Sequence, residues 1–284
     1  MTALQAQPRV LTRQDGWAVG DLIALDPVLN GVFDARWRAA SDVGATRLGG
    51  SLWGLADDLG TGLRAAVFHG GNLIPIGTDL SALRAIATHI ADGPRGCSSI
   101  VGEAQAVAAM WPALERTWGP ARAIRMHQPF LVADRPSDIK ADGAVRVVDP
   151  SELGEFLPAA VAMFTEELGV SPIGPDSGAN YRTRLAGVIQ TGRAFARFDR
   201  RGEVEFKAEI GALTPATAQI QGVWVRPELR GRGLGTAAMA WVLSHALRMA
   251  PTVSLYVNDF NSPARRLYER LGFQQVHTLS TILF

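Results

Sequence analysis

The sequence predicts an α/β (α+β) fold built as two similar halves, each a mixed, mostly antiparallel sheet flanked by helices. Three observations lead there. In the C-terminal half, three strand-like runs separated by short turns are followed by alternating helix and strand patterns. The N-terminal half repeats that order more faintly, which suggests an internal structural duplication. Between the halves, ADRPSDIKADG joins Pro, Gly and five charged residues with almost nothing apolar to bury, the composition of a linker. The expected division is residues 1–132, a linker over 133–143, and residues 144–284.

In the first half, DLIALDPVLNGVFDARWRAA reads as a helix, and SLWGLADD, LRAAVFHG and NLIPIG as strands. LSALRAIATHIAD is helical, CSSIVGE a strand, AQAVAAMWPALERTWG a helix and ARAIRMHQPFLVA a strand. In the second half, VRVVDPSELGEFLPAAVAMFTEELG gives a short strand and then a helix whose start is marked by Asp149, Pro150 and Ser151. GANYRTRLAGVIQTG is a second helix. RAFARFD, EVEFKAEIGAL and AQIQGVWV are strands separated by DRRG and TPAT. A helix follows from about Leu234 to Met249, then the strand TVSLYVND, the helix SPARRLYERLG and a final strand or hairpin, QQVHTLSTILF.

Composition excludes several classes. With 28 basic and 27 acidic residues the net charge is +1, so no general field draws the chain to nucleic acid or an anionic membrane, and any anion site must be local. Cys97 is the single cysteine, which rules out an intrachain disulfide and a Cys-ligated metal cluster and fits a reducing cytoplasm. No signal-peptide pattern and no uninterrupted apolar stretch of about 18 residues occurs. His69, His89, His127, His245 and His277 lack paired metal spacing, and His245 reads as one face of a helix, so no metal is expected. The seven tryptophans, Trp17, Trp37, Trp53, Trp111, Trp118, Trp224 and Trp241, read as core rather than as a base-stacking platform.

The chemistry concentrates in WVRPELRGRGLGTAAM, where Arg230 and Arg232 alternate with Gly231, Gly233 and Gly235 at the mouth of a helix. A helix start leaves backbone N–H groups without partners and carries the positive end of the dipole, so it holds phosphate well, and glycines permit close approach. A nucleotide P-loop would need Lys-Ser or Lys-Thr after the last glycine, but Thr236 and Ala237 follow. A dinucleotide fingerprint is the stronger rival, since GLGTAA fits G-x-G-x-x-A and Asp259 ends the next strand, although the antiparallel hairpins before it argue against that fold.

The stretch QGVWVRPELRGRGLGTAAM is followed by NDFNSPARRLYERLGF, and together they resemble the GNAT superfamily of acyl-CoA-dependent N-acetyltransferases. The first family motif, V-x-P then R/Q-x-x-G-x-G/A, is met by Val225, Pro227, Arg230, Gly233 and Gly235. The second, N-x-x-A-x-x-x-Y-x-x-x-G-F, is met by Asn261, Ala264, Tyr268, Gly272 and Phe273. The resemblance covers residues 144–284 well and the first half by element order alone, which implies a tandem arrangement with a degenerate first copy.

The resemblance implies acetyl-CoA as co-substrate, no metal, and direct attack by a primary amine in a ternary complex. It places Val223, Trp224 and Val225 along pantetheine, and Arg230, Gly231, Arg232, Gly233, Leu234, Gly235 and Thr236 around the pyrophosphate, with Asn261 nearby. Tyr268 matches the family's usual acid, which protonates the departing thiolate. For the base, Glu209 is a candidate if its strand face lines the acceptor cavity. The alternating Glu205, Lys207 and Glu209 read first as a solvated face. Glu166 and Glu167 close a helix where the family commonly builds its acceptor site and are candidates for holding a cationic acceptor. A small-molecule, peptide or protein amine would be the partner, and a non-catalytic acyl-CoA sensor is the alternative function. In the first half, Gly77, Thr78 and Asp79 stand where the glycine turn would be, and the Asp79 carboxylate would repel a pyrophosphate on the same amides.

Overall fold

A computed structural model describes residues 7–43, 48–174 and 178–284. The chain forms two compact units: Met1–Phe130 with Tyr256–Phe260 and Gln275–Phe284, and Leu131–Leu255 with Asn261–Gln274.

In the first unit, β1 (Arg9–Val10) pairs antiparallel with β2 (Gly50–Ala56), β2 with β3 (Leu63–Gly70) and β3 with β4 (Asn72–Ile76). β4 then pairs parallel with β5 (Ser99–Glu103) across a crossover helix. The helices are α1 (Gly16–Ala24), α2 (Gly31–Val43), α3 (Leu80–Ala91) and α4 (Ala104–Trp118), and β6 (Ala123–Ala133) follows them. The final strand, β12 (Gln274–Leu283), pairs antiparallel with β5, from Leu279 opposite Glu103 to Leu283 opposite Ser99.

Alternation along β3 sorts this core onto two faces. Ala65 and Val67 join Leu83, Ile86 and Ile90 of α3 and Val107, Met110 and Leu114 of α4. Ala66 and Phe68 join Val19, Leu22, Ile23 and Phe33 from α1 and α2. The run expected as one N-terminal helix is thus two, broken around Asp26 and Pro27, because proline lacks the N–H that an uninterrupted helix needs there. Trp17, expected in the core, is 87% exposed, since it lies off the inward stripe formed by Val19, Leu22 and Ile23.

The second unit opens with β7 (Arg146–Val147), α5 (Leu153–Leu168) and α6 (Ala179–Gln190). Asp149 caps the short 3-10 turn before α5 through a capping box with Glu152. β8 (Ala194–Phe198), β9 (Val204–Leu213) and β10 (Thr217–Val225) are antiparallel neighbours, and β7 lies antiparallel to β8. α7 (Leu234–Ala246) leads to β11 (Thr252–Tyr256), parallel to β10, and α8 (Ser262–Arg270) completes the order. One face of this sheet buries Ala194, Ala196 and Val204 against Phe156, Ala160, Leu185 and Ile189 of α5 and α6. On the other, Phe195 meets Trp241 and His245 of α7.

Each unit is thus a mixed, mostly antiparallel sheet flanked by helices, and each runs three antiparallel strands, a helix, a parallel strand and a helix. Among the described residues no helix is long and apolar enough to cross a membrane.

Candidate active site

The site residues belong to the second unit. β10 pairs with β11 from Thr217 opposite Thr252 to Gln219 opposite Ser254, whereas β10 itself runs on to Val225. Past Gln219 the two strands part. On its other edge β10 carries a bulge: Gln221 lies opposite Glu209 and Trp224 opposite Lys207, so Gly222 and Val223 share one position across from β9. Gly222 sits at φ +60°, in the left-handed region.

After β10, a 3-10 turn at Pro227–Leu229 leads to Gly231 and Gly233, both at positive φ, and then to α7. Gly233 is the N-cap and supplies no side chain; Thr236 N and Ala237 N turn back onto its carbonyl at 3.1 and 3.2 Å. A Cβ on Gly235 would lie 3.1 Å from Val225 Cγ2 and 3.3 Å from Leu267 Cδ1, so glycine here lets the helix start close against β10 and α8. The first unit treats the corresponding helix differently. Asp79 Oδ1 accepts from Ser81 N and Ala82 N at 3.0 Å each, and Arg64 holds Oδ2 at 2.8 Å. There a carboxylate already fills the helix start.

Arg230 donates from Nε to Val225 O at 2.9 Å and grips Glu166 with both terminal nitrogens, at 2.6 and 2.8 Å. Trp224 Nε1 donates to the same carboxylate at 3.2 Å. Hydrogen bonding to Arg230 holds the Glu166 carboxyl below its usual range. The structure therefore joins Glu166, expected on the acceptor side, to Arg230 and Trp224, expected on the coenzyme side. Val223, Val225, Gly231, Leu234 and Thr236 follow one another along the bulge, strand end and turn, and Arg232 lies exposed between the two positive-φ glycines.

The second motif reads physically as helix punctuation. Asn261 Oδ1 accepts from Ala264 N at 3.2 Å, which makes Asn261 the cap of α8. At the other end Phe273 N donates to Tyr268 O and Gly272 N to Glu269 O, with Gly272 at φ +91°, the two bonds of a Schellman motif. Tyr268 lies between, 6% exposed, its ring edge-on to Phe273 at 5.7 Å. Burial pushes its phenol well above the usual tyrosine value, and the charge of Glu167 adds to the rise. Glu167 also raises Tyr181, whose phenol burial pushes up to about 12.

The face carrying Glu205, Lys207 and Glu209 is not solvated, contrary to the first expectation. Lys207 is 0% and Glu209 1% exposed, because α5 and α6 lie over them. Lys207 Nζ donates to Glu209 Oε1 at 2.7 Å and to Gly222 O at 3.0 Å, and sits 5.3 Å from the centre of the Phe156 ring. Arg184 donates to Glu209 Oε2 at 2.8 Å. Burial alone would raise the Glu209 carboxyl, but the ammonium and the guanidinium overcome it and hold it below the usual range. Both oxygens of Glu209 are thus engaged by cations. Glu205 pairs with Arg197 at 2.6 Å instead. Arg184 and Gly222 were not singled out by sequence, and Lys207 entered only as part of the polar face. A glycine inside the strand pattern AQIQGVWV was the available sign of a bulge. Among the described residues no group of three or more His, Cys, Asp or Glu side chains could hold a metal.

Residues 180–273 match the acetyltransferase (GNAT) family, and residues 50–156 match a domain family of unknown function (DUF4081). A mycothiol acetyltransferase of Kocuria rhizophila is 43% identical over 65 residues, which are 22% of this chain and 22% of that protein. The fold is shared with a GNAT-family acetyltransferase from Colwellia psychrerythraea (TM-score 0.56, 12% identity, 98% of this chain and 99% of the other). It is also shared with a tandem GNAT protein from the clavulanic acid biosynthesis pathway (TM-score 0.53, 16% identity, 98% of each chain). Residues 180–273 thus match the GNAT family of acetyltransferases, and nearly the whole chain shares the fold of the two GNAT structures.

Proposed function

We propose that the protein transfers an acetyl group from acetyl-CoA to a primary amine by direct attack in a ternary complex. The observation that carries this reading is the parting of β10 from β11 beside the Gly222 bulge, ending in a glycine turn whose helix start has no side-chain cap. The edge of β10 from Val223 to Val225, past the end of its pairing with β11, suits a pantetheine arm laid like an added strand. The turn from Gly231 to Thr236 suits a diphosphate, with Arg230 and Arg232 beside it. Hydrogen bonds to a charged oxygen contribute about 1.5–3 kcal/mol each, so several amides hold a diphosphate without a metal. In the first unit, Asp79 occupies the helix start, which supports a non-catalytic role for that copy.

Tyr268 is the acid. Its raised proton affinity keeps the phenol protonated at neutral pH, ready for the departing thiolate. The attacking alkylamine has an ordinary pKa near 10 and must lose a proton. Glu209, the expected base, has both oxygens taken up by Lys207 and Arg184, so accepting a proton would disrupt a buried ion pair. We assign proton acceptance and attraction of the cationic amine to Glu167, which follows Glu166 at the end of α5; Glu166 is itself engaged by Arg230 and Trp224. General acid or base catalysis contributes about 3–5.5 kcal/mol of barrier lowering.

Replacing Tyr268 by phenylalanine tests this. Turnover, read as free CoA released across a panel of amines, should fall about a hundredfold or more while CoA affinity stays within about twofold. Undiminished turnover would remove Tyr268 from the chemistry. CoA binding with no turnover on any amine, in the unmodified protein as well, would favour an acyl-CoA sensor.

A further inference from the structure

The mechanism above leaves a fully buried ammonium unused. Lys207 bonds the carbonyl of Gly222, the residue that β10 gains at its bulge, and is itself held by Glu209, which Arg184 braces from the other side. A Cβ on Gly222 would stand 3.0 Å from Lys207 Nζ, a tight approach at a residue whose φ of +60° already favours glycine. The peptide joining Gly222 to Val223 is trans, as are the others described. In a trans peptide the carbonyl and the following N–H point in opposite directions. Fixing Gly222 O on Lys207 therefore turns Val223 N–H away from Lys207. A cation on the carbonyl end also polarises the peptide and strengthens its N–H as a donor.

We propose that Lys207 is a positioning residue for acyl transfer: through Gly222 O it aims and polarises Val223 N–H toward the carbonyl oxygen of a bound thioester. This rests on the function proposed above. As the amine nitrogen bonds to the carbonyl carbon, negative charge builds on that oxygen and then collapses as the carbon–sulfur bond breaks. The thiolate takes its proton from Tyr268, and the amine proton passes to Glu167. Val223 N–H meets the transient charge, where a fixed donor is most effective. The Lys207, Glu209 and Arg184 chain supplies rigidity and field without touching substrate. Besides these three, the charge of Glu167 and the ring of Phe156 act on the ammonium.

The test is infrared difference spectroscopy of acetyl-CoA carrying a 13C-labelled thioester carbonyl, bound to the full chain. The carbonyl stretch of the bound ligand should lie below its value in solution. An unshifted stretch in the unmodified protein, with the ligand bound, would overturn the proposal without any variant. The double variant Lys207→Gln/Glu209→Gln keeps a hydrogen-bonding pair of similar size and strands no buried charge. In it the stretch should return toward the solution value, kcat should fall about tenfold to a hundredfold, and KM for acetyl-CoA and affinity for CoA should change by less than about threefold. A double variant that folds and keeps both the shifted stretch and kcat would overturn the proposal. Failure of CoA to bind the unmodified protein would instead refute the function on which it rests.

Discussion

Replacing Gly222 by alanine places a methyl carbon 3.0 Å from Lys207 Nζ, 3.2 Å from Met163 Cε and 3.5 Å from Glu209 Oε1, at a residue whose φ is +60°. Two costs add. A non-glycine residue in the left-handed region loses about 1–2 kcal/mol. Crowding in a packed interior costs about 1–3 kcal/mol, and here the ammonium is fully buried with its partners fixed. Alanine recovers about 0.4–1 kcal/mol by restricting the unfolded chain. The expected net loss is about 2–4 kcal/mol, or a fall in Tm of about 5–15 °C for a chain of this size. The assay is calorimetric unfolding, with Gly187→Ala as reference. Gly187 lies in α6 with nothing within 4 Å of an added Cβ, so that change should stabilise by about 0.5–1 kcal/mol. Activity should fall with Gly222→Ala and not with Gly187→Ala. A Gly222→Ala protein as stable and active as the parent would refute the claim that the bulge is held in one geometry by Lys207.

Three further outcomes follow from the same geometry. The buried phenol of Tyr268 is raised above the usual tyrosine value, so above pH about 10 the unfolded chain releases this proton while the folded one retains it. Stability should then be lost as pH rises, by about 1.4 kcal/mol per pH unit from this residue, and urea midpoints between pH 9.5 and 11 should show a flatter decline in Tyr268→Phe. Glu166→Gln frees Arg230 from a carboxylate that competes with a diphosphate; both side chains are substantially exposed, at 50% and 42%, so the gain in CoA affinity should be modest, at most about fivefold, and should shrink with added salt. Weaker CoA binding in that variant, measured by titration calorimetry, would contradict the placement of the diphosphate beside Arg230. In the first unit, Asp79→Ala removes a helix cap and should cost about 1 kcal/mol of stability without altering turnover; a loss of turnover matched by lost CoA binding would assign coenzyme to that copy.

Much of this was legible in local pattern. Strand alternation and turn residues marked β8, β9 and β10, and Gly231, Gly233 and Gly235 announced a backbone conformation and a close approach that only glycine permits. The Asn261 to Phe273 motif proved to be a cap, a buried tyrosine and a Schellman stop, each of them local chemistry. What local pattern could not carry was long-range placement. The pairing of β12 with β5 joins residues far apart in sequence and leaves no periodic trace. The alternation of Glu205, Lys207 and Glu209 signals a polar face, and such a face is ordinarily solvated. Only the packing of α5 and α6 over it, with Arg184 reaching in from α6, turns that face into a buried ion network. Likewise, Glu166 and Arg230 lie 64 residues apart, so their bidentate contact had no sequence signature.

A crystal structure of the full chain with CoA bound bears most directly on the central claim. The diphosphate should lie on the backbone amides between Gly231 and Thr236, the pantetheine arm should run along Val223 to Val225, and the sulfur should come within reach of the Tyr268 hydroxyl. A coenzyme seated elsewhere, with the glycine turn empty or filled by a neighbouring side chain, would contradict the account.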